Sequence, residues 1–208
     1  MSDTVNREEE LAFRFVSGHR ALDLLSTLGD RYRQPIERLR EPADLDRWLV
    51  RAGLSLTARS SGDDLEDARR LRETVNSLTR AQLLGEPPDA DDVRDLNEWA
   101  RRPPLAPQVD LSLERRWSGG QPVEAALALV AREAVELLTS PDRMLIRECA
   151  AAPSCSLLYL DRSRAGRRRW CEMERCGSRA KMRSYRRRRG AIQPEMGAPG
   201  IEPGTSRV

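Results

Sequence analysis

Residues 149–176 read CAAAPSCSLLYLDRSRAGRRRWCEMERC and contain all four cysteines of the 208-residue chain. The cysteines form two close pairs: five residues separate Cys149 from Cys155, and four separate Cys171 from Cys176. One zinc ion binds four thiolates at about 2.3 Å, and two short loops that each carry two sulfurs meet this geometry. The spacing therefore predicts one structural zinc ion with these four cysteines as its ligands.

Two other states of the same cysteines stay open, namely four buried free thiols or two disulfides. The N-terminus, MSDTVNREEE, lacks the basic and apolar regions of an export signal, which disfavours disulfides and predicts a cytoplasmic protein. The longest apolar run, residues 125–131, is far shorter than the ~18 residues of a membrane span. We therefore expect no membrane partner.

The net charge of +3 is unevenly distributed along the chain. Residues 141–190 contain 15 basic and 5 acidic side chains, whereas residues 1–140 contain 20 basic and 26 acidic ones. A basic C-terminal part on an acidic body is typical of a module that binds a polyanion, because each neutralised phosphate releases counterions. A solvated charged helix or a disordered basic tail would have the same composition.

The first part of the chain predicts a mainly α-helical N-terminal domain with a small antiparallel sheet, so the fold class is α+β. Alternating apolar residues predict strands at residues 13–15 and 111–113. We expect an N-terminal domain over residues 10–139, a zinc finger over 141–189 and a disordered tail over 190–208. Helical spacing, capping residues, glycines and prolines predict helices over about residues 21–28, 42–52, 61–84, 91–101 and 122–139.

The C-terminal part predicts a treble-clef zinc finger, in which a cysteine knuckle, a hairpin and a helix follow one another. The last helix is expected to start near Cys171 and Cys176 and to end at about Arg189, so that its positive end favours these two thiolates. The other predicted elements are a first strand at 144–146, a second strand at 157–160, a turn at 163–166 and a return strand at 167–170.

Two stretches of this chain resemble known families. Residues 168–181, RRWCEMERCGSRAK, closely resemble the signature of the CGNR zinc-finger family, R-R-W-C-x-M-x-x-C-G-N-R-x-K, with Ser178 in place of its asparagine. Residues 13–27, FRFVSGHRALDLLST, resemble the start of the ABATE domain that accompanies this finger, with Ser26 in place of another asparagine. The resemblance implies a bacterial, stress-related transcription regulator whose treble clef binds DNA.

The predicted function is that of a zinc-dependent DNA-binding transcription regulator. Arg179, Arg183 and Arg186 share one face of the last helix and are best placed to reach bases. The N-terminal domain is expected to sense an unknown small-molecule or protein effector, or to form a homodimer. The predicted DNA contacts are Arg168, Arg169, Arg179, Lys181, Arg183, Arg186 and Arg187.

Other functions stay open for the same basic finger. It could belong to an RNA- or ribosome-associated stress protein, to an adaptor that docks an acidic protein partner, or to a zinc-thiolate redox switch. An enzyme is not expected, because four sulfurs leave no open position on the zinc ion. His19 is the only histidine, and the sequence contains no phosphate-binding loop and no nucleophile elbow.

Overall fold

The computed structural model describes residues 11–54 and 58–190, so the tail predicted over 190–208 lies outside the described residues apart from Gly190. Six α-helices lie between residues 20 and 190: α1 Arg20–Leu25, α2 Pro42–Arg51, α3 Gly62–Leu84, α4 Ala90–Arg101, α5 Pro122–Thr139 and α6 Ser178–Gly190. Three two-stranded antiparallel sheets pair β1 Leu28–Gly29 with β2 Ile36–Glu37, β3 Ala106–Val109 with β4 Arg115–Ser118, and β5 Ile146–Glu148 with β6 Leu158–Leu160.

Local signals fix the ends of the long helices, as the sequence predicts. The Ser61 hydroxyl accepts the Asp64 N–H at 3.1 Å, and the Asp64 carboxylate accepts the Ser61 N–H at 2.7 Å, which forms a capping box at the start of α3. Pro42 and Pro122 begin α2 and α5, where a helix leaves its first N–H groups unpaired anyway. Gly85 ends α3 with a φ of +69°, a conformation that glycine adopts without steric cost.

The hydrophobic core lies between the helices. The short helix α1 is buried in its centre, with Leu22 and Leu24 both at 0% exposure. Helices α3 and α5 pack against α1, and α4 packs against α3 and α5. Trp48 of α2 is also fully buried and stacks near the ring of Phe15, with 6.0 Å between the ring centroids. The α+β fold with a mainly helical N-terminal part and a C-terminal finger is therefore confirmed.

Strand β6 joins the finger to the helical core. Successive residues of a strand point to opposite faces. Leu158 and Leu160 accordingly pack in the main core, together with Ile146 of β5. Leu157 and the fully buried Tyr159 pack instead against the four cysteines. One three-residue strand thus contributes to both hydrophobic clusters, and the finger is anchored on the helices by its own hairpin.

The predicted strand at residues 111–113 is wrong, because these residues form the tip of the β3–β4 hairpin. The Asp110 carboxylate accepts the backbone N–H groups of Ser112 at 2.9 Å and Glu114 at 3.0 Å. Leu113 has a φ of +59°, which no strand residue adopts. A local aspartate turn therefore overrides the alternating pattern, and the two leucines of the tip are exposed.

Four other predicted elements differ from the structure. Residues 13–15 and 167–170 are not strands, and α1 ends at Leu25 rather than near residue 28. The partner of β6 is β5, which begins only at Ile146 because residues 141–145 form a 3-10 helix. On the edge of β6 that faces away from β5, the Leu160 N–H donates to Ser17 O at 2.8 Å, so residues 167–170 do not extend this sheet.

Candidate metal centre and basic surface

The four cysteine sulfurs come together at one point. Cys149, Cys155, Cys171 and Cys176 place all their Sγ atoms within 4.8 Å of one another, and none of the four forms a disulfide. The Sγ atom of Cys171 lies 3.8 Å from that of Cys155 and 3.6 Å from that of Cys176. Sulfurs at ~2.3 Å from a central zinc ion at tetrahedral angles are about 3.8 Å apart, so the cluster fits this ion.

The first cysteine pair lies in the loop that connects β5 to β6. Cys149 directly follows β5, and its N–H donates to Leu157 O at 3.0 Å, which extends the ladder by one step. Ala152 N–H donates to Cys149 O and Ser154 N–H to Ala151 O, so the intervening loop turns twice. These turns accommodate the unusually wide spacing of the pair and bring Cys155 back beside Cys149.

The second pair depends on a tight turn before α6. Residues Met173–Gly177 form one π-helical turn, in which Cys176 N–H donates to Glu172 O at 3.1 Å. A Cβ atom at Gly177 would overlap the Met173 sulfur and would lie 3.2 Å from Cδ1 of Trp170. A side chain at this position would therefore have to displace the half-exposed Met173 side chain and press against Trp170. Trp170 packs against the cysteine cluster.

The ionisation of the four thiols also favours a cation. The pKa of the Cys149 thiol is lowered, first by its hydrogen bond with Cys155 and then by those with Cys171 and Cys176. The pKa of the Cys171 thiol is raised, first by its hydrogen bond with Cys149. Four neighbouring thiols therefore cannot all become thiolates unless a positive charge offsets their mutual repulsion. A divalent cation supplies that compensation and keeps all four as thiolates.

Arg14 brings a positive charge from the N-terminal segment to the cysteine cluster. Its Nη2 donates to Glu172 Oε2 at 2.6 Å and lies 3.9 Å from Cys171 Sγ. Burial lowers the pKa of Arg14, but the negative charges of Cys171 and then of Glu172 outweigh burial, so the pKa is raised overall. The Ser26 hydroxyl donates to Arg14 O at 2.9 Å and to Asp23 O at 2.7 Å, and so ties this segment to the end of α1.

Arg168 holds the finger together. Its Nε donates to Trp170 O at 2.9 Å, and its Nη2 donates to Cys171 O. Its backbone N–H donates at 3.0 Å to the buried Asp161, whose carboxylate also accepts the Ser163 N–H in the adjacent turn. The guanidinium lies 4.5 Å from the centre of the Tyr159 ring. The Arg168 guanidinium is thus bound by groups of the finger itself. Its neighbour Arg169 is exposed.

Helix α6 presents the other predicted contact residues. Within the described chain, none of these side chains takes part in an ion pair, and every one of them is exposed: Arg179, Lys181, Arg183, Arg186 and Arg187. Arg179, Arg183 and Arg186 line one groove of about 720 Å³, whereas Lys181 and Arg187 do not. Arginines therefore line this groove, together with Glu172 and Glu174 at its end near the cysteines, and further basic residues lie on the other faces of the helix.

Arg175, which is not among the predicted contact residues, lines the same groove one helical turn before Arg179. It lies between Cys171 and Cys176, in a segment that was interpreted only as part of the metal site. The available signal was the spacing of four residues between Arg175, Arg179 and Arg183, which places side chains on one face of a helix.

No helix in the described part of the chain is long and apolar enough to cross a membrane. A search of the curated proteins found no match. Residues 18–141 match the ABATE family, which is described as "Putative stress-induced transcription regulator". Residues 146–189 match the CGNR zinc finger. Neither is a family of enzymes. The chain therefore belongs to the ABATE family and carries a C-terminal CGNR zinc finger with one structural zinc ion.

Proposed function

We propose that this protein is a transcription regulator that binds duplex DNA through the basic face of α6. The observation that carries the proposal is the groove lined by Arg175, Arg179, Arg183 and Arg186, directly beside the zinc cluster. Arginines that are not engaged with carboxylates are free to neutralise phosphates, and their planar guanidinium groups also fit the guanine edge.

The zinc ion positions this face and takes no part in chemistry. Four thiolates from Cys149, Cys155, Cys171 and Cys176 would close its coordination sphere, so it offers no site for a substrate or a water molecule. Its contribution is to fix the turn at Met173–Gly177, from which α6 starts. A regulator rather than an enzyme is therefore the function that the site supports.

The contacts divide by their position on the finger. Arg179, Arg183 and Arg186 face the groove, and we assign to them the approach to base edges. Lys181 and Arg187 lie elsewhere on the same exposed helix and would contact only phosphates. Arg169 on the preceding loop would do the same. Arg168 is left out of this proposal, because its guanidinium is engaged in the finger.

The signal would enter through the N-terminal domain, which we place at residues 10–139. An effector bound there, or a second copy of the chain, reaches the finger through β6, since this strand belongs to both hydrophobic clusters. We place the protein in the cytoplasm, where reducing conditions keep zinc-binding thiols available.

The test is a salt titration of binding to random-sequence duplex DNA, measured by fluorescence anisotropy. We expect the double variant Arg179→Ala/Arg183→Ala to bind more weakly and to lower the slope of log K against log salt by about 1.8, because each phosphate that the protein neutralises accounts for ~0.9 of that slope. The matched control is Arg101→Ala/Arg143→Ala, which removes the same charge from two exposed positions far from α6 in sequence. This control is expected to leave the slope unchanged.

Equal slopes for the wild type and the α6 variant would overturn the proposal, as would equal effects of the two double variants. Competition with RNA duplexes and single strands at fixed salt separates the proposal from the RNA-associated alternative, because the electrostatic contribution is shared and only contacts with bases and 2′-hydroxyls differ. A preference for RNA would replace the DNA regulator with an RNA-binding stress protein.

A further inference from the structure

Met182 lies among the arginines of the basic helix α6. It lines the same groove as Arg179, Arg183 and Arg186, and the spacing of these residues places them on one helix face. The methionine is 53% exposed, and among the described residues that line this groove it has the one large apolar side chain. The surface assigned above to DNA thus has an apolar group between its arginines.

Met182 does not take part in the packing of the described chain. It belongs to neither hydrophobic cluster, and no residue between 178 and 189 is buried. A single exposed apolar residue is common on protein surfaces and by itself indicates no function. What distinguishes Met182 is its position, because arginines precede and follow it on the face of the helix that lines the groove.

The arginines on either side of Met182 determine which part of a duplex it can reach. Arg179 lies three residues before it and Arg186 four residues after it, and both are exposed. A helix rises by about 1.5 Å per residue, so these arginines lie about 4.5–6 Å from Met182 along the helix axis. This distance corresponds to at most about two base steps of ~3.4 Å. With α6 along the major groove, Met182 and an arginine therefore meet neighbouring bases.

The major groove of DNA offers an apolar side chain one suitable partner, the C5-methyl group of thymine. The other groups at the base edges are hydrogen-bond donors and acceptors, which the weakly accepting sulfur of methionine matches poorly. Cytosine has only a hydrogen atom in the place of this methyl group. Because a methionine side chain is unbranched and flexible, it can cover so small a group without a fixed geometry.

We propose that Met182 selects thymine by contact with its C5-methyl group, within about two base pairs of a guanine that Arg179 or Arg186 binds. The inference rests on the proposed DNA binding and adds a base preference to it. Phosphate contacts alone give no such preference, because they carry no sequence information. RNA has uracil in the place of thymine, so the same contact also favours DNA over RNA.

The experiment begins with the selection of binding sites from a random-sequence duplex pool by the zinc-loaded full-length chain. We expect the enriched sites to contain a thymine within about two base pairs of a guanine. Each thymine of an enriched site is then replaced by deoxyuridine, which keeps the base pairing and removes only the methyl group. The affinity of each duplex is measured by fluorescence anisotropy at one salt concentration.

The decisive variant is Met182→Ala. At one thymine, the replacement by deoxyuridine should weaken binding by the wild type about fourfold, the effect of one buried methyl group. In Met182→Ala the same replacement should change the affinity by less than about 1.5-fold. Alanine favours helices, and position 182 belongs to neither hydrophobic cluster, so this variant should fold. Because methionine carries no charge, the salt slope should equal that of the wild type.

Tyr185→Ala is the matched control, because Tyr185 is 50% exposed on the same helix but does not line the groove. This variant should keep the fourfold penalty for deoxyuridine that the wild type shows. The inference is overturned if no site with thymine is enriched, if the wild type tolerates deoxyuridine at every position, if the penalty persists in Met182→Ala, or if Tyr185→Ala also removes it. Each of these results leaves the proposed DNA binding in place as long as binding still depends on salt. Absence of salt-dependent duplex binding would overturn both.

Discussion

Arg14 is expected to stabilise the zinc centre by its charge, and Arg14→Gln tests this. Its Nη2 lies 3.9 Å from Cys171 Sγ, and its side chain is 12% exposed. Two unit charges at ~4 Å interact by about 4 kcal/mol at an effective dielectric constant of ~20. Because a zinc tetrathiolate leaves about half a unit charge on each sulfur, the loss is about 2 kcal/mol. Zinc affinity should therefore fall about 30-fold.

The matched variant is Glu172→Gln, which breaks the same ion pair from the other side. It removes a negative charge from the neighbourhood of the thiolates and leaves Arg14 in place. We therefore expect its zinc affinity to stay within about threefold of the wild type, since each 1.4 kcal/mol corresponds to about tenfold. Both affinities are measured by competition with a chromophoric chelator at one pH and one ionic strength.

Two results would refute this reasoning. If Arg14→Gln and Glu172→Gln weaken zinc binding equally, the ion pair acts by holding the N-terminal segment in place and not by compensating the thiolates. If neither variant changes zinc affinity, the arginine has no effect on the centre. A dependence of the Arg14→Gln effect on salt would further support a charge interaction, because salt screens it.

Three further predictions concern folding stability. Gly177→Ala should destabilise the protein by about 1–3 kcal/mol through overpacking. The control is Gly120→Ala, where a Cβ atom would meet no atom within 4 Å and which should have almost no effect in the same thermal unfolding experiment. Equal unfolding midpoints for the two variants would contradict this prediction. Arg72→Met should lower the free energy of unfolding in urea by about 3–5 kcal/mol, because the Arg72 side chain is 4% exposed and its loss leaves a glutamate of β2 unpaired. The control Arg70→Met breaks an exposed ion pair and should lower it by less than about 1 kcal/mol. Similar losses in the two variants would contradict the argument from burial. Burial raises the pKa of Asp23 to about 6, so at this residue the folded state binds more protons than the unfolded state, and its contribution to stability decreases from about pH 4 to 6. The free energy of unfolding should therefore fall less over this range in Asp23→Asn than in the wild type, and identical pH profiles would refute this.

The metal centre was predictable because its signal is local and chemical. The spacing of four cysteines restricts which ion can bind, and it indicated the zinc site before any fold was known. The helix ends were predictable for a similar reason, since Ser61, Asp64 and Pro122 act on neighbouring backbone groups. Such features need only a few residues of context.

The remaining features depend on contacts that have no local signal. Arg14 lies 157 residues from Cys171, and nothing in either neighbourhood predicts that they meet. The shared role of β6 follows from how its two faces pack. The error at residues 111–113 has a different origin, because there a turn formed by one aspartate competes with a strand pattern only three residues long.

The central claim is that four cysteines hold one structural zinc ion from which the basic helix α6 starts. The most direct test is X-ray absorption at the zinc edge, on full-length protein purified without added metal and with its zinc content measured. We expect one zinc ion per chain with four sulfur ligands at about 2.3 Å and no nitrogen or oxygen ligand. Protein that is folded without zinc, or a zinc ion with fewer than four sulfurs, would contradict the account.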